Sequence, residues 1–549
     1  MNKRALFLIL SSTLLFSCQQ KRATSSSTSD ISSQNETTSS SAVSSSSQSS
    51  SIEPSTSQSS VFQSSSSQSS ATSSSSEEKV FPAIPENKPI AITPLIEPLA
   101  PTLPFTVPDF SNYSEGLTYA LLADGTGYSV SNANNTLATP NLVIPETHEG
   151  KPVSEIASEG FTERTWISSV AIPKTIKKIG DGAFSLTNIK QLYFDAESCQ
   201  DFNARNWVFY PSESQSGIQV VFGKDVKRIP ARLFYPLCTE PTKLPAINDA
   251  YFENGSSLET IGEYAFYHSE KLARLVLPAS LKGIEDFAFS GTGLTSLYLP
   301  EGFEKIGENV FSSTSSLTEV YFPSTLTSLG SSAFFYSGLV EADLSLCGSL
   351  TSLPSSLFKD CASLMHFNSP RSLSLIGSEC LKNCSGLTTL YLGGEADSLA
   401  IGASAFEGCA ELVTLYLPKN LNQLGTASFK GCAKVQTLYY DARDLSDFAN
   451  ANEVFRAFGD PKGFDVLFAK NVQILPSHLF YAWSEESARP KINRLYFLSP
   501  ELTEIHAAAF LGVIPQLIDS SLTAEQWQRV TVAANNDSIG EYVAKEAAK

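Results

Sequence analysis

Between Leu258 and Tyr440 the apolar positions keep a fixed frame. One copy, Leu294 to Ser316, reads LTSLYLPEGFEKIGENVFSSTSS, and further copies start at Leu317, Leu387 and Leu412. Each copy holds two apolar clusters. The first is LxxLxL, as at Leu294, Leu297 and Leu299. Its closing alternation predicts a short strand with leucines turned inward and the residue between them turned outward. Proline often follows, as at Pro278, Pro300, Pro323 and Pro418. Lacking an N–H, it ends the strand and starts a turn. The second cluster, I-G-x-x-A-F, as at Ile261, Gly262, Ala265 and Phe266, offers a glycine for a tight return and a large ring for the interior.

The ring position sets the register: Phe266, Phe289, Phe311, Phe334, Phe358, Leu381, Phe406 and Phe429, in steps of 23, 22, 23, 24, 23, 25 and 23 residues. A unit of this size cannot bury its apolar face alone. The period therefore predicts a solenoid of stacked coils, with about 14 short parallel strands ~4.8 Å apart, roughly 70 Å along the stack.

The pattern L-x-x-L-x-L-P…I-G-x-x-A-F-x-x-C resembles the BspA-type leucine-rich repeat of bacterial surface proteins. Asn141 to Phe161 (NLVIPETHEGKPVSEIASEGF) is similar to the opening unit of that family, and the resemblance runs from about Leu117 to Phe510. It implies a curved parallel β-sheet with irregular turns on the opposite side, preceded by a disordered linker. It also implies a role in binding proteins of a host or a neighbouring cell. Leu381 in place of Phe, and Pro230, Pro354 and Pro476 in place of Gly, depart from the pattern without breaking the period.

The remaining segments read as export, tether and caps. Residues 1–17 have a basic start at Lys3 and Arg4 and an apolar run too short to span a bilayer, which is an export signal. Leu15-Phe16-Ser17-Cys18 resembles the lipobox of bacterial lipoproteins. That resemblance implies cleavage before Cys18, diacylglycerol on its thiol and a membrane-anchored protein on the bacterial cell surface. Residues 18–76 are Ser-rich and cannot offset their ordering entropy by burial, so a disordered linker is expected. Residues 77–110 are proline-rich and read as a stiff stalk of about 100 Å when fully extended. Residues 111–165 form the opening unit, 166–512 the repeat solenoid, and 513–549, with a Ser/Thr cap signal, a helical cap and tail. A longer unit occurs twice, 192–235 matching 438–481 at a constant offset of 246. Each is expected to bulge from a coil rather than form a domain.

A formal charge of −18 argues against nucleic acid and against adhesion to anionic lipid. Cys361, Cys384, Cys409 and Cys432 share a slot that holds Thr187, Ser269, Thr292, Thr314 and Ser337 in other coils. This is a small buried site suited to a free thiol. The five histidines are scattered and no Cys/His set has metal-ligand spacing, so no metal, cofactor or catalytic residue is assigned. Gly125 and Gly127 in DGTGY read as a hairpin turn. Glu319, Glu341 and Asp343 fall near one another on adjacent strands and read as solvated surface.

One outward column stands out. The position between the inward residues is Tyr at 193, 251, 298, 321, 391, 416, 439 and 496, interrupted by Val276, Asp343 and Asn368. Tyrosines on neighbouring strands stabilise each other, and a row of rigid amphipathic rings is also a contact surface. The candidate ligand-binding residues are therefore Tyr298, Tyr321, Asp343, Asn368, Tyr391, Tyr416 and Tyr439. The expected function is a monomeric, non-catalytic binding protein or adhesin for a protein or glycan on another surface. The alternatives are a structural envelope protein and, more remotely, a carbohydrate-active parallel β-helix enzyme.

Overall fold

The computed structural model describes residues 81–93, 95–137, 139–211, 217–235, 245–450, 452–481 and 489–549. The export signal, Cys18 and the Ser-rich linker lie outside the described residues. From residue 117 onward the chain is a parallel β-solenoid with little helix.

The coils open at their LxL clusters, as strands such as Ser296–Tyr298 or Thr414–Leu417, except that Leu275 and Leu277 lie in extended chain with no strand pairing. These strands stack into a wide parallel ladder in stretches of five, two, three and five strands. Proline then turns the chain as expected: the N–H groups of Phe303, Leu326 and Leu421 return to the carbonyls of Pro300, Pro323 and Pro418 at 3.0–3.1 Å. The isoleucine of I-G closes each strand of a second, narrow ladder, most of whose strands are two residues long, for example Gly283–Ile284, Lys305–Ile306 and Ser328–Leu329. Two residues are too short for an alternation signal, and this ladder was not legible as strand.

Opposite the wide ladder the chain runs through turns, which carry a repeating hydrogen bond of their own. The N–H of each ring residue reaches the neighbouring coil, as in Phe266 to Ala288 (2.8 Å), Phe311 to Ala333 (2.7 Å) and Phe358 to Cys380 (2.7 Å). The residues two before and two after the ring hold left-handed conformations, for example Asn309 and Ser313 around Phe311. The glycine of I-G is needed for another reason than a tight return. A Cβ on Gly330 would lie 2.3 Å from the Gly307 carbonyl carbon, and one on Gly425 would lie 2.4 Å from the Ala403 nitrogen. Glycine lets successive coils approach.

The core is linear. Phenylalanine rings stack from coil to coil at 5.1–5.8 Å between Phe266, Phe289, Phe311, Phe334 and Phe358. The column resumes beyond Leu381 with Phe406 on Phe429 at 5.1 Å. The seven described cysteines are buried and free. In the shared slot the Sγ–H groups of Cys384 and Cys409 donate to the carbonyls of Phe358 and Leu381 of the preceding coil. Thr292 and Thr314 donate there to their own coil instead.

The two long units match down to their hydrogen bonds. Asn206 donates to the Arg232 carbonyl and accepts from the Val208 N–H, and Asn452 repeats this with His478 and Val454. Asp201 and Asp447 accept the N–H groups of Ala231 and Ser477. At the N-terminal end the expected hairpin pairs Thr118–Leu121 with Tyr128–Ser131. At the other end the array continues one coil beyond residue 512, through Leu517–Ser520 and Thr531–Val532. Helices α1 (Ala524–Trp527), capped by Thr523 and Gln526, and α2 (Asp537–Ala547) close it, with Trp527 buried against Phe497 and Tyr542.

Candidate binding face

Alternation along each wide-ladder strand sends one residue into the core and its two neighbours to the outer face, so stacking turns single positions into columns. The register places Tyr298 beside Tyr321, Asp343 beside Asn368, Asn368 beside Tyr391, and Tyr416 beside Tyr439. All seven candidate residues thus share one column. A second outward column runs parallel to it, through Ser296 and Glu319, then Glu341, His366 and Thr389, then Thr414 and Thr437.

The rings interact as neighbouring aromatics do. Tyr298 and Tyr321 stack at 4.5 Å and 4°, and Tyr416 and Tyr439 tilt at 6.3 Å. Their hydroxyls are held from the sides: Tyr321 Oη donates to Glu301 at 2.9 Å and Tyr416 Oη to Asp441 at 3.1 Å. Burial, then the neighbouring carboxylate, raises both phenols above the ordinary tyrosine range. These tyrosines stay neutral and serve as apolar plates with a polar rim.

The column is less open than the sequence suggested, because the chain covers it. Residues 77–110 read as a stalk standing clear of the array, yet described residues between Asn87 and Phe110 contact the sheet face. Asn87 Nδ2 donates to the Leu392 carbonyl at 2.9 Å. Asn368 Oδ1 accepts the Ile90 N–H and Asn368 Nδ2 donates to the Ile90 carbonyl, both at 2.8 Å. Asn368 is 0 % exposed as a result, and Tyr391 is buried beside it. Glu97 sits near enough to Tyr298 to add to the effect of burial in raising its phenol. Farther on, Leu103, Phe105 and Phe110 pack against Ala171, Tyr193 and Val221, with Phe110 and Tyr193 rings 6.0 Å apart.

The physical reason is apolar content. A solvated stalk has no use for Ile90, Ile92, Leu95, Phe105 and Phe110, and that composition was the available signal. The partners, some 278 positions away for Ile90 and Asn368, could not be found by spacing.

Beneath the segment a cavity of about 600 Å³ remains, between Ile92, Leu95 and the strands Glu319–Tyr321 and Glu341–Asp343. It gathers the three carboxylates noted in the sequence: Glu319, Glu341 and Asp343. Asp343 accepts the Ser345 N–H at 3.0 Å. Among the described residues no lysine, arginine or histidine makes an ion pair with any of the three, and no group of three or more His, Cys, Asp or Glu side chains could hold a metal ion.

The array has solved counterparts of low sequence identity. A leucine-rich repeat protein from Bacteroides ovatus is 20% identical, with 62% of this chain and 94% of that one covered and a TM-score of 0.35. The pneumococcal vaccine antigen PcpA is 16% identical over 79% of this chain and 95% of that one, at a TM-score of 0.32. A leucine rich cell surface protein from Faecalibacterium prausnitzii is 16% identical over 78% and 98%, at 0.24. No curated sequence matches. The family model for the BspA type leucine rich repeat region matches residues 134–255, 242–364 and 342–452, more than half of the chain. With the period, the stacked coils and that match in agreement, the chain belongs to the BspA-type leucine-rich-repeat family.

Proposed function

We propose that this chain is a non-catalytic binding protein displayed on the outer side of a bacterial envelope, tethered through a lipid on Cys18. Its ligand is a protein or glycan on another cell or surface, engaged by the wide-ladder face. The observation that supports this reading is that the face already seats an extended segment of polypeptide, with the Asn368 amide meeting the Ile90 backbone on a floor of tyrosine rings. A continuous ladder offers one long surface, whereas the opposite side is broken into turns. Aromatic rings supply large contact area at low entropic cost.

Two experiments test it. Mutation of Cys18 to alanine should release or mislocalise the product, and membrane retention of that variant after signal cleavage would refute the anchor. A binding screen of the mature chain against extracellular-matrix proteins, cell surfaces and glycan arrays should give saturable capture of at least one class. No capture in any class would favour a purely structural envelope role.

A further inference from the structure

Resting on the reading of this face as a contact surface, we propose that its central part is a receptor for an extended, proline-containing peptide carrying a lysine or arginine. Residues 87–93 and 95–97 of the chain occupy that receptor in cis. Asn368 offers one acceptor and one donor to the N–H and carbonyl of a single residue, Ile90. That contact reads a backbone and is indifferent to the side chain, as a neighbouring strand would be. On either side lie Tyr391 and the stacked pair Tyr298 and Tyr321, flat surfaces on which proline-rich extended chains dock.

The cis segment fits this receptor imperfectly. It leaves the 600 Å³ cavity unfilled below Ile92 and Leu95, and it brings no cation to Glu319, Glu341 and Asp343. Ile96, at the edge of the cavity, stays 85 % exposed, so its apolar side chain gains little from docking. A basic side chain at the place of Ile92, two residues beyond the one Asn368 reads, would enter the cavity. There it would meet three carboxylates and the Tyr321 ring. The tether keeps the cis segment at a local concentration on the order of millimolar. A competing peptide therefore needs the gain that the basic residue supplies, which makes the cis segment a selectivity filter.

The test uses the full chain and two labelled synthetic peptides: residues 85–99 (PENKPIAITPLIEPL) and the same peptide with Ile92→Lys. Ile90→Pro in the protein removes the N–H that Asn368 accepts and frees the face. By fluorescence anisotropy the parent peptide should bind the Ile90→Pro chain at least tenfold more tightly than wild type. The lysine peptide should bind a further tenfold more tightly, and only that second gain should vanish at high salt. Adding Asn368→Leu should weaken both peptides at least tenfold. If that variant no longer melts cooperatively, the Glu319→Gln, Glu341→Gln pair takes its place and should abolish the lysine advantage alone. The proposal is overturned by absent saturable binding to the Ile90→Pro chain, by equal affinity of the two peptides, by binding that survives Asn368→Leu in a cooperatively melting chain, or by a lysine advantage that survives the Glu319→Gln, Glu341→Gln pair. Capture of a surface macromolecule without peptide binding would remove the peptide receptor and leave the binding-protein reading standing; peptide binding without capture would support the receptor and refute only a macromolecular ligand on another surface.

Discussion

Asn368→Asp probes the contact between the cis segment and the array with almost no change of shape. The aspartate keeps the oxygen that accepts the Ile90 N–H and replaces the donating amide with a second oxygen, 2.8 Å from the Ile90 carbonyl. The lost hydrogen bond is worth about 1 kcal/mol, and leaving a buried carbonyl opposite a carboxylate costs a further ~1–3 kcal/mol. Among the described residues, the polar hold on residues 87–97 is three hydrogen bonds to the array, at Asn87 and twice at Ile90. At ~1 kcal/mol each they are matched by the perturbation, so the segment should come off locally. Its open population should rise by about 30- to 1000-fold, the factor that ~2–4 kcal/mol represents. Once released, the aspartate faces water and the array has no reason to unfold. Hydrogen exchange read by mass spectrometry on the full chain should show lost protection in the peptide that contains the Ile90 N–H. Coil peptides around Phe406–Phe429 and the segment over Tyr193 should keep theirs. Unchanged protection in the Ile90 peptide would refute the docking argument, and loss spread evenly along the array would mean that Asn368 supports the coil instead.

Three further outcomes follow from the core and the turns. Tyr440 is fully buried with its hydroxyl unpartnered among the described residues, while the matching position of the other long unit is Phe194; Tyr440→Phe should raise unfolding stability by about 1 kcal/mol, and a loss in chemical denaturation would show that the hydroxyl has a partner. Phe311 stacks on Phe289 at 5.8 Å and Phe334 at 5.3 Å, and Leu381 shows that the slot accepts leucine; Phe311→Leu should cost ~1–3 kcal/mol through two lost ring contacts, and a cost below ~0.5 kcal/mol would mean that the ring column adds nothing beyond apolar volume. Along the turns, Lys359, Glu379, Lys382, Glu407, Lys430, Glu453 and Arg456 form one alternating chain of ion pairs. Bonds from Lys359 hold Glu379 below the usual range and bonds from Lys430 do the same for Glu453; at Glu407 burial pushes upward, but the bonds from Lys382 and Ser404 and the charges of Lys382 and Lys430 together outweigh it. Carboxyls depressed in the folded state stabilise above their unfolded pKa of ~4.3, and that contribution is lost as pH falls through the folded values. Glu407→Gln should therefore cost up to ~1 kcal/mol at pH 7 and progressively less as pH falls through the folded value, and less in high salt; a cost undiminished in acid would assign Glu407 a packing role.

The sequence made the array legible because its period is carried by side chains that have no choice. Leu297 and Phe311 must be inside, and the rings at Phe266 to Phe429 count the coils one by one. The outward column was equally legible, since alternation over three residues fixes which neighbours share a face. The narrow ladder was missed because Lys305–Ile306 is too short to alternate. The glycine of I-G was assigned to a tight return because local sequence shows the turn and not the coil stacked against it. The covering of the face was missed because proline content favours an extended segment without saying whether that segment stays in water. The decision rests on Ile90, Ile92 and Phe110 finding an apolar floor that only the folded array provides.

The claim that the wide-ladder face is where a ligand sits is met head-on by one comparison. Tyr391, Tyr416 and Tyr439 are replaced together by serine, and capture of a ligand from the binding screen is measured beside thermal unfolding of the same protein. Three contact aromatics at ~1–2 kcal/mol each, not strictly additive, should weaken capture by at least a hundredfold. Melting should shift only modestly, because these rings lie on the outer column and Leu415 and Leu438 keep the core. Capture that is unchanged while the melting temperature falls would show that the ladder of rings only stabilises the sheet and that the contact surface lies elsewhere.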